Sequence, residues 1–495
     1  MISAQLPVIV MVLMLSAGLV VPLAAGRMPA KGLGTMSVSV LALGTISSFV
    51  SLAHVLNAGA YVYRFGGWPA SIGVEFSIGP LTALMAVLVT LLSLAVVLYV
   101  AKDAIDAVRP RAVPGYYTII FVAVFAMLGM VYTNDLFNMY VFMEILAIAS
   151  CALVTIRGSR ENLYAGLKYL LIGTVGSVTV LFGIAVLYMV SGNLNMTIIA
   201  DGMPQLWNDY PTNVKMAIGF MLTGFGIKAA VFPLHTWLPD AHSTAPTGSS
   251  ALLSGLVVTV YLFGAAKVLF SVIGAEVLAL TNIPLMLSYV GMLGMIAGSV
   301  FALGQREVKR ILAYSTVAHV GYMVLGMGLA SEAGVSTAVF HMIAHGLMKT
   351  ALFLSVGTVI RRTGKKYVSE FAGVGYRMPL TMLVFSIAAL GMIGVPGVNG
   401  FMSKWYLILA GIDAGISLVV PVILLSSFLN ALYYLPVISR AFMQRSTESD
   451  HVMKRDRLPT ALVSPMVGIA ILCIVTGLFP QLVMNIINEA VAGWL

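Results

Sequence analysis

Apolar runs as long as a bilayer is thick follow one another almost end to end along this chain, separated by short polar joints. A spanning helix needs about 20 such residues, so a sequence written this way has the bilayer as its solvent. Composition agrees: 60% of the 495 residues are hydrophobic and only 9% are charged. A mean hydropathy of +1.00 is more than the surface of a soluble domain of this length could carry. The longest polar stretches, 361–377 and 440–457, are too short to hold a core of their own, which excludes a hidden nucleotide-binding or substrate domain.

At roughly 20 to 28 residues per span, the runs place helices near 5–25, 33–57, 77–101, 114–133, 135–156, 162–190, 213–238, 247–271, 282–303, 309–330, 335–360, 379–410, 417–440 and 459–487. The expected fold class is an all-α polytopic membrane protein with about 14 transmembrane helices. If the joints alternate sides, 20 of the 27 basic residues fall on one side, from Arg27 and Lys31 in the first joint, through Lys102, Lys309 and Arg310, to Arg440, Arg445, Lys454, Arg455 and Arg457 in the last. Only Arg64 and Lys215 fall on the other. The positive-inside rule makes the first set cytoplasmic and turns both termini outward. The formal charge of +9 is thereby a topology signal, not a nucleic-acid surface. Cys151 and Cys473 stand in apolar runs with neither disulfide nor metal-ligand spacing and read as packing residues. Residues 1–25 carry no basic residue ahead of their apolar run and are expected to form the first spanning helix, not a signal peptide.

Five basic residues remain inside spans: Lys168, Lys228, Lys267, Lys349 and Lys404. A lysine at the centre of a lone helix costs about 2.5 to 3.5 kcal/mol on insertion scales, so keeping several requires partners, water or function. Among the acids only Glu144 lies well inside a span. Helix seven carries Pro233 and Pro239 in FPLHTWLPDAH, and helix twelve carries Gly394, Pro396, Gly397 and Gly400 in IGVPGVNGF. Both are expected to be discontinuous there, because proline removes an amide donor and clashes with the preceding turn. Interrupted helices at membrane depth belong inside protein or along a watery cavity. The two breaks are five helices apart, as are Lys168 and Lys349, and a repeated unit with an odd number of spans comes out inverted. The organisation expected is helices one to three in 1–112, a first inverted five-helix repeat (helices four to eight) in 113–274, a second (helices nine to thirteen) in 280–442, and a cytoplasmic joint with helix fourteen in 443–495.

Glu144, in YVFMEILAIAS, has no sequence-local cation and suits a proton acceptor; the plainer alternative is a helix-packing pair with Lys168 or Lys228, and one pair can serve both roles. Lys228 stands five residues before Pro233, where freed carbonyls and water can receive its hydrogen bonds, and Lys404 stands beside the second break. A buried lysine can release and regain a proton near neutral pH. For both the alternative is a snorkelling side chain, and for Lys267, close to the outer end of helix eight, snorkelling is the favoured reading. In FHMIAHGLMKTALF, His341, His345 and Lys349 follow at spacings of four and project from one face of helix eleven. Metal or haem ligation by these histidines, with His319, is disfavoured because a third strong ligand is missing and the lysine would repel a cation. His235 and His319 read equally well as satisfied core histidines.

The run KAAVFPLHTWLPDAHSTAPTGSSALLSG, the segment DLFNMYVFMEI, the helix HMIAHGLMKTALF and GVPGVNGFMSKWYL together resemble the antiporter-like subunits shared by respiratory complex I, Mrp-type sodium/proton antiporters and membrane-bound hydrogenases. The likeness spans nearly the whole chain, and its length and the DLFNMYVFMEI segment look most like the D subunit of Mrp antiporters. It implies a proton relay in which Glu144, Lys168, Lys228, His345, Lys349 and Lys404 match the family's positions on helices five, six, seven, eleven, eleven and twelve. His235 joins these on the reading of the residues, with His319 and His341 as further candidates. Many members of the family carry a titratable residue in helix eight where this chain has Thr259, so ordered water would have to span that point.

The expected function is that of the cation- and proton-translocating subunit of a multisubunit Mrp-type sodium/proton antiporter, itself not an enzyme, in the cell inner membrane. The alternative is the proton-pumping subunit of a redox-driven complex, an NADH:quinone oxidoreductase or membrane-bound hydrogenase. No cofactor motif and no metal site are legible. The partners expected are other membrane subunits, protons, sodium ions and the lipid bilayer, with no nucleic acid.

Overall fold

Inside a bilayer each backbone amide must be satisfied within the protein, and the chain meets this demand almost entirely with helices. The computed structural model describes residues 2–70, 72–444, 456 and 458–494; Arg445, Lys454, Arg455 and Arg457 of the basic set, and the side chain of Lys102, lie outside what is described. Twelve helices among the described residues are long and apolar enough to cross a membrane. Numbered in chain order with the two broken helices counted, they are helices one (Ile2–Ala24), two (Ala30–Ala58), three (Pro80–Ala107), four (Val113–Tyr132), five (Leu136–Thr155) and six (Arg160–Ser191). They continue as helices eight (Thr247–Ile273), nine (Ile283–Leu303), ten (Val308–Gly328), eleven (Glu332–Thr363), thirteen (Val419–Met443) and fourteen (Thr460–Leu478).

Helices seven and twelve are each two pieces, as the prolines require. Helix seven runs Pro211–Lys228, turns through 229–237, and resumes as Leu238–Thr244. Helix twelve runs Pro379–Ile393, turns at Gly394 and Gly397 with φ of 93° and 94°, and resumes as Asn399–Asp413. Only glycine holds such angles without strain. Elsewhere the ends follow ordinary capping: Asp135, Ser159 and Ser331 accept the N–H groups of Asn138, Asn162 and Gly334 at the starts of helices five, six and eleven. Helices nine and ten meet backbone to backbone, since a Cβ on Gly321 would stand 2.6 Å from the Gly291 carbonyl oxygen.

Three elements differ from the sequence expectation. The joint after helix two contains an antiparallel pair, Tyr61–Arg64 with Glu75–Ile78. Residues 196–209 form an amphipathic helix whose stripe of Met196, Ile199 and Met203 is buried. The last run divides at Pro480 into helix fourteen and Gln481–Ala492, because proline has no amide to continue the first helix. The joints nevertheless meet in the two sets expected of them. At one end Glu75 receives hydrogen bonds from Asn134 and Asn195, each 2.8 Å, tying the joints after helices two, four and six. At the other, basic end Glu307 bridges to Tyr367 and Arg377 pairs with Asp456, tying the joints after nine, eleven and thirteen. Helices eight, ten and eleven are almost wholly enclosed by the rest, while Ile46, Val175, Phe428 and Ile471 face outward, the reverse of a soluble protein.

Candidate functional site

The polar side chains of interest fall into three groups within the bundle. In the first, Lys228 closes the first half of helix seven and is buried, with Gly173 of helix six beside it. Its Nζ stands 3.4 Å from Glu144 Oε1, so Glu144 pairs with Lys228 and not with Lys168. The carbonyl of Ile227, freed by the break, is taken by the Trp237 indole N–H at 2.8 Å. Lys168 is only half-buried and turns toward the basic end, where its Nζ is 2.7 Å from Asp240 Oδ2 and Arg310 holds the other oxygen of the same carboxylate. Asp240 and Arg310 line a cavity of about 540 Å³ with Arg157, Glu161, Glu307 and Lys366. Burial raises the Glu307 carboxyl above its ordinary range there, against the pull of Lys309, Arg310 and Lys366.

The second group was not read from the sequence. His242, on the second half of helix seven, is fully buried and stacked on Phe353 of helix eleven at 5.4 Å. Lys309, expected in a solvated joint, is buried instead, its Nζ 2.8 Å from the Ala245 carbonyl that ends the same half-helix. Neither ring nitrogen of His242 has a hydrogen-bond partner among the described residues, and the same is true of His345. A buried imidazole carries both a donor and an acceptor, so these two rings call for water. His242 stands in the DAH triplet three residues past Pro239, and a joint expected to begin at that proline conceals it. Thr259, by contrast, gives its hydroxyl to Gly255 of its own helix at 3.1 Å. Helix eight is π-helical at Leu253–Val257 and Val268–Ile273, irregularities common near functional sites.

The third group holds separate hydrogen-bonded stretches around Lys349, the histidines and Lys404. Lys349 Nζ reaches the Leu312 carbonyl at 2.7 Å and the Ser315 hydroxyl, which meets Tyr434 at 2.8 Å. His345, one turn back, lies with its ring 6.1 Å from that of His319. His319 Nδ1 is 3.1 Å from His341 Nε2, and His341 Nδ1 is 2.8 Å from Ser403 Oγ. Lys404 fills the second break: its Nζ donates to the carbonyls of Met392 and Ile393 and to Ser427, each at 2.9 Å, with the Tyr322 ring 4.9 Å away. An ammonium at the C-terminal end of a half-helix complements both the free carbonyls and the dipole. His319 and His341 are thus hydrogen-bonded to one another and to Asn430 and Ser403. His235 stays apart from them, stacked among Phe232, Phe301 and Tyr314. Lys267 corrects the snorkelling expectation: it is buried, donating to the Val131 and Thr133 carbonyls, because the unsatisfied end of helix four lies within its reach.

A bundle with two broken helices, each flanked by buried lysine, defines a membrane subunit of the antiporter-like class. Residues 133–430 match the family described as NADH:quinone oxidoreductase/Mrp antiporter, transmembrane, and the chain belongs to it. It is 37% identical over 456 residues to NADH-quinone oxidoreductase subunit N of Desulforudis audaxviator, 90% of either chain. It is 29% identical over 455 residues to the D subunit of the Na(+)/H(+) antiporter of Bacillus subtilis, covering 92% of this chain and 90% of that one. Among solved structures it superposes with a TM-score of 0.89, at 30% identity and over 99% of its length and 97% of the other chain, on a chain of the membrane-bound sulfane sulfur reductase, an archaeal respiratory membrane complex.

Proposed function

We propose that this chain is the proton-translocating subunit of a multisubunit Mrp-type sodium/proton antiporter, passing protons along Glu144, Lys228, His242, Lys349, His345, His319, His341 and Lys404. The observation that carries the reading is the succession of buried titratable groups across both helix breaks, with Lys228 on Glu144 at one end and Lys404 on the freed carbonyls of helix twelve at the other. Ions so expensive to bury are kept when their charge is used. Lys168 and the cavity at Asp240 form the cytoplasmic approach, both termini face outward, and 113–274 and 280–442 act as inverted halves that meet at His242. Replacing Glu144 or Lys228 by alanine should abolish proton uptake by vesicles while the complex still assembles. Full activity in both single variants would sink the assignment.

The second reading, a proton-pumping subunit of a redox-driven complex, is favoured by one observation: identity to the subunit N relative, 37%, exceeds the 29% to the antiporter relative. Purifying the native complex decides between them. Bound flavin or iron–sulfur absorbance, with quinone or sulfur reduction, supports the second; sodium-dependent proton exchange without either supports the first.

A further inference from the structure

The histidine pair of the second half has a fixed polarity, and its source is an amide on helix thirteen. Asn430 is fully buried, and its orientation is settled by a backbone carbonyl, a group with only one possible role. Its Nδ2 faces the Met392 carbonyl at 3.1 Å, which can only accept, and its Oδ1 receives the Tyr433 hydroxyl at 2.5 Å. The same Nδ2 stands 3.4 Å from His319 Nε2, so that nitrogen must be the acceptor. A neutral His319 then carries its proton on Nδ1 and donates it to His341 Nε2 at 3.1 Å. His341 in turn carries its proton on Nδ1 and donates it to Ser403 Oγ at 2.8 Å. The far end gives the same answer independently: the Ser403 hydroxyl is spent on the Gly400 carbonyl at 3.0 Å, leaving its oxygen to accept.

We propose that Asn430 is a positioning residue that holds His319 and His341 as neutral imidazoles protonated on Nδ1, making the pair a wire that points from helix thirteen to Ser403 and the break in helix twelve. Its consequence for transport rests on the proton-relay reading; the tautomers themselves do not. A proton arriving at His319 Nε2 displaces the amide donor. The Nδ1 proton of His319 then moves to His341 Nε2, and the Nδ1 proton of His341 moves to Ser403 Oγ as the serine's own hydroxyl proton leaves the Gly400 carbonyl for water at the break in helix twelve. One proton has entered and one has left, and both rings now carry theirs on Nε2. The wire resets when each ring gives its Nε2 proton to water and takes one from water on Nδ1; the Asn430 amide, donating again to the bare His319 Nε2, favours that tautomer. Because Asn430 and Lys404 share the Met392 carbonyl, the reset is in contact with the lysine at the end of the path.

The test uses ¹⁵N-histidine-labelled full-length chain in its native membrane complex, read by solid-state NMR, with His319→Gln and His341→Gln difference spectra for assignment. The wild type should show protonated Nδ1 and bare Nε2 at both residues; protonated Nε2 at either overturns the proposal without any variant having to fold. Asn430→Asp places only acceptors near His319 Nε2, beside the Lys404 ammonium that offsets the added charge. The tautomers should invert and proton uptake fall at least tenfold, while Asn430→Gln should restore part of both. An unchanged spectrum in Asn430→Asp overturns the role of Asn430. Inverted tautomers with undiminished uptake leave Asn430 in its positioning role and remove the histidine pair from the relay.

Discussion

Asp240 holds helices six and ten to the half-helix that carries His242, and removing it has a calculable cost. Its carboxylate receives Lys168 at 2.7 Å and Arg310, in a triad whose side chains are between 24% and 38% exposed. A charged hydrogen bond contributes about 1.5 to 3 kcal/mol when buried, and exposure of this order brings it to about 1 kcal/mol each. Asp240→Ala also leaves Lys168 and Arg310 facing one another. Two like charges about 5 Å apart repel by roughly 1 to 3 kcal/mol for effective dielectrics between about 80 and 20. The total loss is about 3 to 5 kcal/mol. Adding Lys168→Met to Asp240→Ala removes the repulsion, so the double variant should be more stable than Asp240→Ala alone by about 1 to 3 kcal/mol. The thermal inactivation midpoints of the purified complexes measure this. A double variant less stable than the single one refutes the account of Asp240 as a shared counter-ion.

Lys267→Met should lower stability by about 2 kcal/mol, since the two carbonyls ending helix four each lose a donor, while proton uptake in vesicles stays intact; lost uptake would place Lys267 in the relay. Thr259→Val should leave uptake unchanged, because the hydroxyl serves only its own helix, and a tenfold loss would make Thr259 the link between the halves. The backbone N–H groups of Tyr367 and Lys366 hold the Glu370 carboxyl below its ordinary range. The order this lends to that loop is complete above the usual carboxylate pKa and is lost as pH falls through the depressed value. Amide exchange at both residues, corrected for intrinsic rates, should accelerate on acidification in the wild type and show no such step in Glu370→Gln.

The parts of this architecture that rest on local chemistry were legible in the sequence. The prolines of FPLHTWLPDAH and the glycines of IGVPGVNGF force breaks wherever they stand, and the spacing of His341, His345 and Lys349 puts them on one face in any helix. What could not be read were pairings across the bundle. Lys267 and Lys309 look like end-of-helix lysines that reach for water; only the placement of the free carbonyls of helix four and of Ala245 turns them inward. Glu75 lies in a joint, yet three joints converge on it, and Asn430 has nothing in its own helix to mark it beside His319. Such residues are fixed by partners more than 50 positions away, and one chain's pattern carries no trace of them.

Six basic side chains, Lys349, Lys404, His242, His319, His341 and His345, are buried in the interior of the bundle, and none of them has a carboxylate partner among the described residues. Carbonyls and hydroxyls steady one charge there but cannot cancel several. Two unit charges about 8 Å apart repel by about 2 kcal/mol at an effective dielectric of about 20, more than a tenfold change in occupancy. The interior thus behaves as a capacitor of small capacity, in which a charge on one site raises the energy of loading any other. In the proposed relay each arriving proton would press the earlier charge onward, and opening of the ion pair of Glu144 with Lys228 at the margin would set that pressure.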